Sequence, residues 1–104
     1  MLDLRKVLGF EWDEGNINKN EKKHGVSWKE CEEAFLQRAY IGDDIKHSKS
    51  EKRHYILGST FQKRKLFVSF TIRKNKIRVI SARNQNTKEK NTYINFLRLY
   101  EKTN

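Results

Sequence analysis

Proline is absent from this 104-residue sequence, glycine occurs five times and cysteine once. With no Pro- or Gly-rich linker to divide it, and a length that supports one hydrophobic core, the chain reads as a single domain over residues 1–104. The lone Cys31 excludes an internal disulfide and a cysteine-based zinc cluster. It falls in an apolar helical pattern, which marks a core thiol rather than a nucleophile. No apolar run approaches the roughly 20 residues of a membrane span. The opening Met-Leu-Asp-Leu-Arg-Lys lacks the apolar stretch of a signal peptide. A cytoplasmic protein with no membrane contact is therefore expected. Walker loops, dinucleotide-binding glycine patterns, nucleophile elbows and paired-carboxylate motifs are missing too. His24, His47 and His54 lack the spacing of helical metal-ligand pairs, so neither a metal nor a cofactor is expected.

What the chain does have is aromatic bulk and positive charge. Two tryptophans, four tyrosines and six phenylalanines supply material for a packed core. The formal net charge of +10 is unevenly spread: residues 1–45 carry a net −3 and residues 46–104 a net +13. The basic residues of the second part are interleaved with strand patterns rather than gathered in a tail. That distribution points to a bound polyanion, with nucleic acid the usual candidate.

Met1 to Gly9 reads as an N-terminal extension, and Phe10-Glu11-Trp12 as a short strand. Asp13 is placed to cap a polar helix running to His24, which Gly25 would stop in a left-handed conformation. Ser27-Trp28-Lys29-Glu30 is a capping box, with Val26 and Cys31 as its hydrophobic staple. Trp28, Cys31, Ala34 and Phe35 share one face of the helix that follows, ending near Gln37. After residue 39 the period changes to alternation. Ala39-Tyr40-Ile41 is a candidate edge strand, Asp43 to Ser50 a polar loop, and Arg53 to Ser59 a strand followed by a turn near Phe61-Gln62-Lys63. Lys65 to Arg73 alternates most cleanly, Lys74-Asn75-Lys76 is a hairpin turn, and Ile77 to Arg83 is the last strand. Asn86 and Glu89 cap a final helix to about Glu101, with Tyr93, Phe96, Leu97 and Tyr100 on its apolar side; residues 94–104 form a C-terminal helix tail. The predicted order is β-α-α-β-β-β-β-α, an α+β fold with an antiparallel sheet packed on helices gathered to one side.

Cationic side chains cluster on or beside the strands: Arg53 and His54, Arg73, Arg78, Arg83, and Lys88 at the start of the last helix. RNA supplies its own nucleophile, the 2′-hydroxyl, so its cleavage needs only a proton acceptor, a proton donor and cations for the pentavalent transition state. Arginine suits the last role through its bidentate fork. His24 or His54 can exchange protons near neutral pH, with Tyr93 and Glu89 as weaker alternatives. Arg83, ending an otherwise apolar strand, is expected to have a polar partner or a ligand.

Taken together, these segments resemble the BrnT toxin family. The match runs from about residue 10 to 93 through Phe10-Glu11-Trp12-Asp13-Glu14, Lys23-His24-Gly25-Val26-Ser27, Glu32-Glu33-Ala34-Phe35, Asp43-Asp44 and His47-Ser48. It continues through Glu51-Lys52-Arg53, Leu57-Gly58, Phe70-Thr71-Ile72-Arg73, Ile77-Arg78-Val79-Ile80-Ser81-Ala82-Arg83 and Lys88-Glu89. The resemblance implies a RelE-like toxin fold and metal-independent cleavage of RNA. It also implies neutralisation by a BrnA-type antitoxin, with operator DNA reached only through that antitoxin. On the motif positions, Arg53, Arg73 and Arg83 are the implied active-site arginines, with His24 and Lys23 as secondary candidates. The N-terminal extension and the tail depart from the family pattern without removing a motif residue. Two other classes fit the same composition: a basic nucleic-acid-binding module without catalysis, and an interaction protein whose basic face docks an acidic antitoxin.

Overall fold

The computed structural model describes residues 2–103. A turn of 3-10 helix, Leu4–Lys6, leads into β1 (Gly9–Phe10), α1 (Lys19–His24) and α2 (Trp28–Leu36). Then come β2 (Tyr40–Asp43), a second 3-10 turn (Ile45–His47), β3 (His54–Ser59), β4 (Lys65–Arg73), β5 (Lys76–Asn84) and α3 (Thr87–Thr103). The sheet order is β1-β5-β4-β3-β2. Strands β2 to β5 form the expected antiparallel meander, but β1 joins β5 in parallel and makes the sheet mixed.

Local chemistry explains most boundaries. Gly25 stops α1 at φ +67°, where a side chain would be strained. Ser27 and Glu30 form the reciprocal capping box, and the staple pair Val26 and Cys31 are each 1% exposed. Lys74 and Asn75 both take positive φ, the backbone of a tight two-residue hairpin turn. Asn86 and Glu89 exchange hydrogen bonds at the head of α3, 2.9 and 2.8 Å. The helix expected from Asp13 begins only at Lys19, because the Asp13 carboxylate is used elsewhere: it accepts Gly15 N–H in a turn and binds Arg78.

Alternation assigns the two faces of the sheet. Ile56, Leu66, Val68, Phe70, Ile77, Val79 and Ala82 point to α2 and form the core with Val26, Cys31 and Ala34. Helix α2 lies so close to β3 that a Cβ on Gly58 would come within 2.7 Å of the Ala34 carbonyl. The helices are not gathered on one side, however. Tyr93 of α3 hydrogen-bonds Ser59 (2.8 Å) and Phe96 packs edge-on against Tyr40, both on the face opposite α2. Helix α3 carries an apolar stripe of its own, and only the second sheet face was left to bury it. It covers the end of that face near Ser59 and leaves the end near Arg73 open.

One register shift decides which side chains share that open face. Ser69 pairs with Ser81 and Phe70 with Val79, so Ile80 is an extra residue in β5. The bulge is held from both sides. Within the sheet the Ser69 and Ser81 hydroxyls bond at 2.9 Å. On the free edge of β5, Asn16 Nδ2 donates to Val79 O (3.3 Å) and Asn20 Oδ1 accepts from Ala82 N (3.0 Å). Both asparagines are buried. Set four residues apart, they continue the edge pairing where the two-residue β1 ends.

Replacing Asn20 by Ala leaves the buried Ala82 N–H without an acceptor. Asn20→Ala is expected to lose about 1–3 kcal/mol of stability in urea unfolding, while the neighbouring exposed Lys19→Ala stays within about 0.5 kcal/mol of the parent.

Candidate functional site

A hollow of about 300 Å³ opens on the uncovered end of the sheet face, lined by His47, Lys49, Ser50, Glu51, Arg53, Thr71, Arg73, Arg78 and Ile80. Three neighbouring strands converge here. Arg53 immediately precedes β3, Arg73 ends β4, and Arg78, level with Thr71, lies near the start of β5. The loop between β2 and β3 forms the rim. It is closed by Ser48, whose Oγ accepts Arg53 N–H (2.8 Å) and donates to the Asp44 carbonyl (2.7 Å). The Asp44 side chain accepts His47 N–H and bonds His47 Nδ1 at 2.9 Å. Thr71 Oγ1 is buried at the floor without a hydrogen-bond partner among the described residues.

Two of the arginines are held by carboxylates. Arg73 makes a bidentate pair with Glu51 (2.9 and 2.8 Å). Arg78 bonds Asp13 at 2.7 and 3.2 Å and Glu11 at 3.1 Å. The hydrogen bonds from Arg73 and Arg78 hold the Glu51 and Asp13 carboxyls below the usual carboxylate range. Among the described residues, the Arg53 guanidinium and the Lys49 ammonium have no hydrogen-bond or ion-pair partner. The hollow therefore joins pre-oriented cations to cations without a hydrogen-bonded partner, a setting that suits an oxyanion.

Arg83 shares the face but not the hollow. Arg78 pairs with Thr71 and Arg83 with Phe67, four residues apart on β4, roughly 13 Å at about 3.3 Å per residue. Arg83 has the polar partner expected of it: a bidentate pair with Glu89 at 2.8 and 2.9 Å, with its Cζ 4.2 Å above the Phe67 ring. Burial pushes the Glu89 carboxyl up, but the Arg83 guanidinium and the Asn86 N–H outweigh it and leave the group below its ordinary value. Lys88 borders a separate hollow beside Arg83's partner Glu89.

The histidines and Lys23 separate differently. His54 lies on the opposite, core-facing side of the sheet, 8% exposed, with its ring 5.6 Å from Phe70 and its Nδ1 bonded to Asp43 at 2.8 Å. His24 and Lys23 end α1, where Arg64 bonds the His24 and Gly25 carbonyls. None of the three reaches the arginine hollow. The histidine that does is His47, which sequence reasoning did not select; its signal was the spacing Asp44-x-x-His47 followed by Ser48. Cys31 is buried, and burial pushes its thiol up to about 12, so it is no nucleophile. Among the described residues, no group of three His, Cys, Asp or Glu side chains is placed to hold a metal ion. No helix among them is long and apolar enough to cross a membrane.

Because Glu89 is held below its ordinary range in the folded chain, its contribution to stability is present at neutral pH and is lost as pH falls through the folded value. Unfolding midpoints are expected to fall on acidification below about pH 5. Glu89→Gln keeps an acceptor for Asn86 but not the charge pair, so its decline should be shallower from a lower neutral value. An unchanged slope would assign the acid sensitivity to other carboxylates.

A comparison with curated proteins gave no match. A family model described as ribonuclease toxin, BrnT, of type II toxin–antitoxin system matches residues 12–89. The matched span contains α1, α2, strands β2 to β5 and every side chain that lines the arginine hollow. The chain belongs to the BrnT family of type II toxin–antitoxin ribonuclease toxins.

Proposed function

We propose that this chain is a metal-independent endoribonuclease whose reaction takes place in the hollow formed by His47, Arg53, Arg73 and Arg78. The observation that carries the reading is the convergence, on one open sheet face, of three arginines from three strands with a histidine already oriented by a carboxylate. With Asp44 accepting from Nδ1–H, Nε2 is the His47 nitrogen that accepts a proton. In the reaction Nε2 takes the proton of the RNA 2′-hydroxyl, and the 2′ oxygen attacks the adjacent phosphorus. As the new O2′–P bond forms, the P–O5′ bond breaks, and the departing 5′ oxygen is protonated from solvent. The products are a 2′,3′-cyclic phosphate and a 5′-hydroxyl. Arg53, Arg73 and Arg78 stabilise the charge that accumulates on the equatorial oxygens. Phosphate competes with Glu51, Asp13 and Glu11 for Arg73 and Arg78 but meets no competitor at Arg53.

Arg83, set apart along β5, positions the RNA strand beside the reacting phosphate. His24, His54 and Lys23 have no part in the reaction. Cleavage of RNA inhibits translation, and the neutralising partner is an antitoxin of the BrnA type. Operator DNA is contacted by the antitoxin alone. This assignment of partners is supported by the family membership and by a basic face that acidic residues of a partner would cover.

Incubation of the purified chain with RNA in the presence of EDTA tests the proposal. The parent is expected to cut. Arg53→Ala should lose at least a hundredfold in rate while its urea unfolding stays within about 0.5 kcal/mol of the parent, since the guanidinium makes no hydrogen bond or ion pair among the described residues. His47→Ala should lose about 10²–10⁴-fold. Arg83→Ala is the less direct variant, because it also breaks the tie between β5 and α3. Full activity in Arg53→Ala and His47→Ala, or activity restored only by a divalent ion, would overturn the assignment.

A further inference from the structure

Beyond the arginine hollow, the same sheet face carries a strip of π surfaces, one from each antiparallel strand. Tyr40 of β2 lies 6.3 Å from Tyr55 of β3. Tyr55 is stacked with Phe67 of β4 at 5.3 Å and 19°. The Arg83 guanidinium of β5 lies over Phe67 at 4.2 Å. The sheet makes room for the strip: Gly42 stands directly opposite Tyr55, and a Cβ there would overlap the tyrosine ring. Glycine at this position lets the ring lie flat across the edge strand. Tyr55 and Phe67 are half-buried, and both border a second hollow of about 240 Å³. Its far wall is polar and comes from Asn86 and the first turns of α3: Lys88, Glu89 and Thr92, with the Glu89 oxygens already taken by Arg83 and the Asn86 N–H. Asn86 Oδ1 is occupied by the Glu89 N–H, which leaves its amide N–H groups without a partner among the described residues.

We propose that this second hollow is a nucleobase subsite, in which an unpaired base of the RNA rests against Phe67 and Tyr55 with its edge toward Asn86 and Lys88. The inference rests on the ribonuclease reading and deepens it. The arginine hollow takes the phosphate, and the aromatic strip along β4 and β5 takes a base of a neighbouring nucleotide. An aromatic wall facing a polar wall matches a heteroaromatic ring, which is apolar on its faces and polar at its edges. A base in a duplex has both faces covered by its neighbours and cannot enter, so the substrate is single-stranded RNA. Phe67 is flanked by Tyr55 and Arg83, so the base meets ring edges, a contact that accepts any base; the Asn86 amide and Lys88 ammonium, both donors, favour bases with acceptors on the exposed edge.

The test is binding of the full chain to a short single-stranded 2′-O-methyl RNA, which lacks the attacking hydroxyl and is not cut. It is repeated with an abasic residue moved through each position. One abasic position is expected to weaken binding roughly tenfold, without changing the slope of log Kd against log salt, because no phosphate contact is lost. Phe67→Leu should weaken binding of the intact oligonucleotide and abolish its advantage over that abasic one. A duplex of the same sequence should bind more weakly than the single strand. If every abasic oligonucleotide binds the parent as tightly as the intact one, the base subsite is overturned and the ribonuclease reading stands. Failure of the parent to bind RNA at all overturns both. The abasic series needs no variant, so the result is decisive even if Phe67→Leu does not fold.

Discussion

The single extra residue in β5 is the constraint on which both faces of the sheet depend. Ile77 and Val79 belong to the core, and in an unbroken strand the next inward positions would be Ser81 and Arg83. That register would bury a guanidinium against α2 and turn Ala82 out to solvent, at a cost no ion pair there would offset. The bulge at Ile80 resets the alternation: Ala82 joins the core and Arg83 turns to the face that already holds Arg78. The flanking backbone groups are claimed by Asn16 and Asn20, so the irregularity is fixed from outside as well as across the ladder. A cationic face and an apolar one thus come from a strand whose sequence does not alternate cleanly.

The same face shows how folding redistributes the charge imbalance of the chain. The acidic N-terminal part supplies Glu11 and Asp13 to Arg78, while Glu51 and Glu89 pair with Arg73 and Arg83. Three of the four strand arginines therefore arrive with their guanidinium planes already oriented. Ion pairs of this kind at a wet surface contribute little to stability because the Coulomb gain is screened. That makes the carboxylates replaceable. Under the proposed reaction, a phosphate diester that enters finds donor forks in fixed directions and displaces acceptors of similar geometry. Arg53 and Lys49 supply the net positive charge that makes the exchange favourable.

Much of this was legible in the sequence, and what was not has identifiable causes. The capping box at Ser27, the stop at Gly25 and the hairpin at Lys74-Asn75 are local devices, written within a few residues, and they appear where the sequence puts them. The meander followed from alternation. The placement of α3 on the second face did not, because an amphipathic helix records that it needs a partner but not which side of a sheet provides it. The start of α1 was misplaced because Asp13 read as a cap, and its partner Arg78 lies 65 residues away. The bulge left a faint trace: the apolar positions Ile77, Val79, Ile80 and Ala82 fit no strict period of two.

The choice among histidines shows where residue type stops carrying information. Asp43 and Asp44 are adjacent, and each bonds the Nδ1 of one histidine, at 2.8 Å to His54 and 2.9 Å to His47. In sequence the two pairs offer the same proton chemistry. The strand decides between them. His54 pairs with Phe70 across the ladder, turns toward the helices and is closed off by that ring. Asp44 lies just beyond β2 and caps the next 3-10 turn, which carries His47 over the opposite face to the arginines. An imidazole sealed against the core has no route to a substrate, whatever its partner. One that stands at the rim beside a carboxylate faces the hollow proposed to hold the ribose. Position relative to the sheet separates the pair enclosed against the core from the one proposed to react.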